Sequence, residues 1–214
     1  MKKKGFLMVT MTPPPEMEEE FNDWYDTEHV PERIALEGFE TARRYVCVEG
    51  FPRYMAAYDL TSVSVLDGDY QKISGDKFSP WSKRILRKTR GLWRVTGEQI
   101  YPGDARAVGS PRLLLLHYRD VEDAQCEGLV QALRATYEGE GRVLQLRVIR
   151  YADEATSGGC VALIEGLKCL SAIEGPALEG RWRQHISLCN EYADYWAYSP
   201  NSALGKVLKA RPLR

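Results

Sequence analysis

Apolar residues recur along this chain in two rhythms, every second position over short stretches and every third or fourth over longer ones, and the two rhythms alternate in a regular order. Gly5–Met11 reads as a short buried strand, closed by Pro13-Pro14-Pro15. Glu16 to about His29 reads as a helix whose first turns are crowded with acids, suiting the positive helix end. Pro31 is expected to stop or bend it. Thr41–Val48 and Arg53–Leu60 are strands joined by the turn Glu49-Gly50-Phe51-Pro52. Pro80 is well placed in the first turn of a helix reaching about Thr89, and Leu92–Tyr101 is a strand ended by Pro102-Gly103.

After Gly103–Pro111, a connector rich in Gly, Ala and Pro, the order restarts. Arg112–Tyr118 is a strand, Ala124–Tyr137 a helix, Val143–Tyr151 and Cys160–Leu167 strands, Pro176–Leu188 a helix and Tyr192–Tyr198 a last strand. Spacings agree as well as order. Arg44-Tyr45 precedes Tyr58-Asp59 by the interval that separates Arg150-Tyr151 from Ile164-Glu165, and Trp81-Ser-Lys-Arg-Ile85 lines up with Trp182-Arg-Gln-His-Ile186. We read an internal duplication. The first βαββαβ unit covers 1–103, a connector 104–111, a second and more degenerate unit 112–200, and a basic tail 201–214. Such a unit is the ferredoxin-like motif, a four-stranded antiparallel sheet with helices on one face. Its bare face needs cover, and a second copy supplies it. The expected fold is therefore α+β, with two ferredoxin-like repeats whose antiparallel sheets pack into a barrel-like body.

Composition narrows the function. The 214 residues carry 29 Lys+Arg and 30 Asp+Glu, a formal charge of −1, so no global field draws the protein to nucleic acid or an anionic membrane. Lys2-Lys3-Lys4 before an apolar run looks like a signal peptide, but Thr10, Thr12 and the prolines break that run, and a first strand is expected. No stretch has the apolar length of a membrane span. Five scattered cysteines and three histidines, with no C-x-x-C and no closely spaced His pair, offer no metal site and fit a reducing cytoplasm.

The chemistry concentrates in Phe21–Arg33. On a helix, Met17, Phe21, Trp24 and Glu28 share one stripe and Asn22, Tyr25, Asp26 and His29 the next. A phenol, a carboxylate and an imidazole thus meet near the helix's C-terminal end, where His29 can serve as a proton donor or acceptor. The alternative is a His that caps free carbonyls. Arg43 and Arg44 alternate on a strand and face opposite ways; either can hold a carboxylate or phenolate, or else pair with Asp59 or Glu28. His117 alternates with Leu113 and Leu115 and is expected to be a buried, satisfied histidine.

The run Phe21-Asn22-x-Trp24-Tyr25-x-x-Glu28-His29-x-Pro31-Glu32-Arg33 resembles the EthD-like members of the dimeric α/β-barrel superfamily. Gly38-Phe39-x-x-Ala42-Arg43-Arg44-Tyr45, Arg53–Tyr58 and Ser79-Pro80-Trp81-Ser82 extend the resemblance over 5–102; the second half keeps the element order but lacks the W-Y-x-x-E-H signature. The resemblance implies a ferredoxin-like fold with an aromatic-lined pocket between sheet and helices. Its relatives include cofactor-free monooxygenases, polyketide cyclases, lactone isomerases and haem-binding enzymes. It makes His29 the general acid/base and Tyr25 its hydrogen-bonding companion. Trp24 and Trp81 wall the pocket, with Arg43, Arg44 and Tyr58 as substrate contacts. His185, on a helical stripe with Leu178, Trp182 and Cys189, is a candidate axial haem ligand, since some relatives use a helix or pocket His, although its repeat counterpart Arg84 points to a structural role.

The expected function is a cofactor-independent isomerase, cyclase or lyase acting on an aromatic or polyketide-like, weakly acidic compound, in a cytoplasmic protein able to form a homodimer. The alternatives are a cofactor-free or haem-dependent oxygenase of a phenol or quinone, and a non-catalytic ligand-binding protein of a degradation pathway.

Overall fold

The computed structural model describes residues 3–152 and 158–196. Eight strands alternate with helices: β1 Gly5–Thr12, α1 Glu18–Trp24, α2 Val30–Ile34, β2 Phe39–Cys47, β3 Tyr54–Leu60, α3 Pro80–Leu86, β4 Arg90–Tyr101, β5 Arg112–Arg119, α4 Asp123–Tyr137, β6 Val143–Tyr151, β7 Gly159–Gly166, α5 Gly180–Arg183 and β8 Ile186–Trp196. They form one closed antiparallel barrel in the order β1-β3-β2-β8-β5-β7-β6-β4. Within it the first four strands lie as β4-β1-β3-β2 and the last four as β8-β5-β7-β6, the same order twice. The two sets meet edge to edge, Cys47 opposite Tyr192 at one seam and Gly97 opposite Tyr151 at the other. Closure leaves no free sheet edge.

The period-two rhythm sorts each strand between two environments. Phe6, Met8, Met55, Leu113, Leu115, Ile149 and Leu163 point inward and fill the barrel. Outward residues of the first half pack under α1 and α3 with Phe21, Trp24 and Ile85. Those of the second half pack under α4 with Leu129, Leu133 and Tyr137. Helix α4 begins at a reciprocal capping box in which Glu122 and Gln125 each satisfy the other's backbone amide.

One end of the barrel is closed by the connector. Ala107 and Val108 donate their amides to Asp59 and Glu165 at 2.8 and 3.0 Å. Between those carboxylates lies Arg147, with Nη1 2.5 Å from Asp59 Oδ1. Its Nε stands 3.2 Å from Glu165 Oε2, an ion-pair distance without hydrogen-bond alignment. Thr41 Oγ1 donates to Asp59 at 2.6 Å and Gln145 Nε2 to Glu165 at 2.8 Å, so both carboxylates keep several donors.

Three expectations change. Pro31 does not end the first helix. Tyr25–His29 forms a π-helical turn in which the Val30 amide reaches back to the Tyr25 carbonyl, and Pro31 enters the next α-turn, which runs on to Ile34. The wider π ring relaxes the demand for the i→i−4 bond that proline lacks. The helix expected over Pro176–Leu188 shrinks to Gly180–Arg183, and Ile186–Leu188 joins β8 because pairing with β5 satisfies its backbone. The stripe that joined His185 to Cys189 therefore does not exist. The segment 63–77, unassigned from its pattern, folds as three short 3₁₀ turns. The end of the expected strand Tyr192–Tyr198 and the 201–214 tail lie outside the described residues.

Candidate active site

The acidic helix start and the proline-tolerant π turn carry the chain across the outer face of the first half's sheet. This places Trp24, Tyr25 and His29 in one buried aromatic layer. The His29 ring is 4.4 Å from that of Trp24, 5.1 Å from Tyr25 and 6.4 Å from Phe78, centroid to centroid. Its Nδ1 is buried without a hydrogen-bond partner, and the ring caps no carbonyl, so the capping alternative does not describe it. Burial first, then the positive charges of Arg33 and Arg44, hold the His29 pKa well below its ordinary value, so the imidazole is neutral.

Tyr25 is likewise enclosed. Among the described residues its hydroxyl reaches only the Met11 sulfur, at 4.0 Å, and burial pushes its pKa up to about 12. Tyr58, rising from β3 beneath the helix, has a buried hydroxyl with no partner, and burial raises its pKa well above the ordinary range. Both phenols therefore keep their protons. Trp24 donates Nε1 to Ser82 Oγ at 3.0 Å, and Trp81 donates to Glu20 at 3.1 Å from a half-buried position. Trp24 is thus buried within this aromatic layer and Trp81 lies half-buried at its edge. Glu28 turns toward α3, where it accepts from Ser79 and Ser82.

The two arginines separate as strand alternation requires. Arg44 faces the helix, with Nη1 2.5 Å from Asp26 Oδ1, Nη2 2.6 Å from Asn22 Oδ1, and its guanidinium 4.5 Å from the Tyr25 ring centre. Its partner is neither of the acids expected, Asp59 or Glu28. The helix register brings Asp26 over β2, while Asp59 points into the barrel and is taken by Arg147. Arg43 faces the barrel interior beside the connector, 4.0 Å from Asp194, and is remote from His29's side of the sheet.

Arg33, not singled out from the sequence, is a second buried cation in this layer. It bonds the Ile73 carbonyl at 3.1 Å and lies over the rings of Tyr70 and Phe78. The only available signal was its place one turn after His29. Tyr70 also lines a groove of about 390 Å³ with Leu36, Gly38 and Val65; neither His29 nor Tyr25 lines it.

The other histidines sit elsewhere. His117 is buried in the barrel with both ring nitrogens bonded, Nε2 to Tyr151 Oη at 2.5 Å and Nδ1 to Ser187 Oγ at 2.6 Å, and is thus satisfied as expected. His185 stands in the turn before β8 with Nδ1 2.9 Å from the Arg119 carbonyl. The helix expected to carry it ends at Arg183, so the helical stripe it was to share does not form. Among the described residues no group of three His, Cys, Asp or Glu side chains is arranged to hold a metal ion, and no helix is long and apolar enough to cross a membrane.

No protein-family model matches the sequence, and no curated protein is similar to it in sequence. Solved structures are similar in fold. An anthrone oxidase-like protein superposes with a TM-score of 0.66 at 13% identity, covering 94% of this chain and 95% of its own. A candidate monooxygenase from Lactobacillus acidophilus gives 0.52 at 8% identity, over 92% and 98%. A variant chlorite dismutase from Candidatus Nitrospira defluvii gives 0.54 at 9% identity, over 98% and 95%. The chain shares the dimeric α/β-barrel fold of these proteins.

Proposed function

We propose that this protein is a small-molecule enzyme that moves protons on an aromatic or polyketide-like carbon acid, an isomerase, cyclase or lyase of EthD-like type built from two ferredoxin-like copies. One observation carries the reading: a neutral, buried imidazole with an unpartnered nitrogen, enclosed by aromatic rings and flanked by two buried guanidiniums.

The chemistry follows from these groups. In the tautomer protonated at Nε2, the Nδ1 lone pair of His29 takes a proton from a carbon next to a carbonyl. The C–H electron pair moves into the enolate, whose charge falls on oxygen, and the field of Arg33 and Arg44 stabilises it. Tyr25 and Tyr58, protonated throughout, are hydrogen-bond donors to that oxygen. Return of the proton from the imidazolium to another carbon is isomerisation; loss of a leaving group from the enolate is elimination. Trp24 and Phe78 supply flat apolar walls for an aromatic ring.

A second reading draws on what two of the fold neighbours are described as, an anthrone oxidase-like protein and a candidate monooxygenase. Here the same deprotonation prepares an electron-rich carbon for oxidation, with dissolved dioxygen as the oxidant.

The test uses the full chain in D₂O with a panel of aromatic ketones and anthrone-type carbon acids, reading deuterium incorporation by NMR and oxygen uptake by electrode. Wild type is expected to accelerate exchange at a carbon, and His29→Gln, with an unchanged near-UV spectrum, to lose about 100-fold of that rate or more. Oxygen uptake selects the second reading. Full exchange by His29→Gln overturns both, and wild type without any exchange or uptake points instead to a non-catalytic ligand-binding protein.

A further inference from the structure

At the end of the barrel opposite the connector, a cavity of about 460 Å³ opens among the first residues of β4 and β8, the last of β5 and the Phe51-Pro52 turn. Its volume falls in the range of small-ligand sites. Trp93 and His117 stand together in it with ring centres 4.2 Å apart, and Tyr151 and Ser187 bond the two nitrogens of that imidazole. Arg119 also lines the cavity, its exposed guanidinium in no ion pair among the described residues. Phe51 and Leu92 at the rim are more than half exposed. None of these groups belongs to the His29 layer, which lies on the outer face of the sheet.

We propose that this barrel mouth is a second ligand site, separate from the His29 layer, for a small aromatic carboxylate. Trp93 offers the ligand ring a face for stacking. Arg119 can hold the carboxylate through its fork of parallel N–H groups. The hydrogen-bonded line orients the remaining polar contact. In the tautomer with Tyr151 donating to Nε2 and Nδ1–H donating to Ser187, the only acceptor for the serine hydroxyl hydrogen among the described residues is the His117 carbonyl, at a long 3.4 Å. An anionic oxygen in the cavity is a better acceptor.

The probes are benzoate and its neutral isostere benzamide, titrated calorimetrically into the full chain. Saturable benzoate binding is expected, with benzamide at least ten-fold weaker. Arg119→Gln, a change at an exposed position, is expected to erase that preference, and Ser187→Ala to weaken benzoate several-fold. His29→Gln is expected to bind benzoate as wild type does, which separates this site from the one proposed for catalysis. Absence of saturable benzoate binding overturns the proposal. So does unchanged discrimination in Arg119→Gln, or benzoate binding that vanishes in His29→Gln and survives in Arg119→Gln.

Discussion

Replacing Arg147 by Met tests whether the closed end of the barrel rests on charge compensation. Arg147, Asp59 and Glu165 are 1%, 2% and 0% exposed, so solvent screens none of them. One guanidinium stands between two carboxylates, with contacts at 2.5 and 3.2 Å. At an effective protein dielectric near 20, opposite charges about 4 Å apart attract by about 4 kcal/mol, and desolvation consumes much of that. Methionine fills a similar volume but leaves two buried carboxylates with no cation between them. Breaking a buried ion pair by deleting one partner costs about 3–5 kcal/mol. For a chain of this size each kcal/mol lowers Tm by about 2–4 °C, so a fall of roughly 6–20 °C is expected. Urea unfolding at neutral pH, followed by far-UV dichroism and tryptophan fluorescence, measures the loss. Adding Asp59→Asn should recover at least about 1 kcal/mol, because one buried charge is removed while the donors from Thr41 and Ala107 still find an amide oxygen. A cost for Arg147→Met below about 1 kcal/mol, or no recovery in the double variant, would refute the argument.

Two further outcomes follow from single side chains. The folded-state pKa of His117, about 4, lies below the ordinary 6.5, so the unfolded chain binds a proton that the folded one does not. Its contribution is present above pH 6.5 and is lost as pH falls toward 4, on the order of 3 kcal/mol in all. The urea midpoint of wild type should therefore decline across that window more steeply than that of His117→Phe, and parallel slopes would contradict the assignment. Ser79 accepts the Ser82 amide at 2.9 Å as the N-cap of α3, and its hydroxyl also donates to Glu28. Ser79→Ala should cost about 1 kcal/mol in the same assay, and no measurable change would show that the cap does not limit α3.

The strands were largely legible because their signal is local. Val143–Tyr151 was delimited from alternation alone, and six of the other strands begin and end within two residues of the expected places. The failures share a cause. Ile186–Leu188 has a sequence compatible with helix or strand, and the unpaired edge of β5 decided between them. Pro31 carries a local rule for ending helices that the π turn at Tyr25–His29 overrides, and no spacing announces such a turn.

For the candidate site, the sequence alone brought Trp24, Tyr25 and His29 to one helix segment, since residues within a turn of each other depend on no distant contact. It also separated Arg43 from Arg44, because strand alternation is a property of the backbone. Arg33 joined the layer through contacts with Ile73, Tyr70 and Phe78, some 40 residues along the chain. Arg44 chose Asp26 over the acids expected because a helix's rotation over a sheet is set by packing and not by its own period. The grouping of Trp93, His117, Tyr151 and Ser187 likewise exists only where β4, β5, β6 and β8 meet around the barrel. Local pattern determines which face each residue presents. Closure of the barrel decides which faces meet, since it pairs strand edges far apart in sequence, and that pairing depends on the backbone bonds satisfied across the whole sheet.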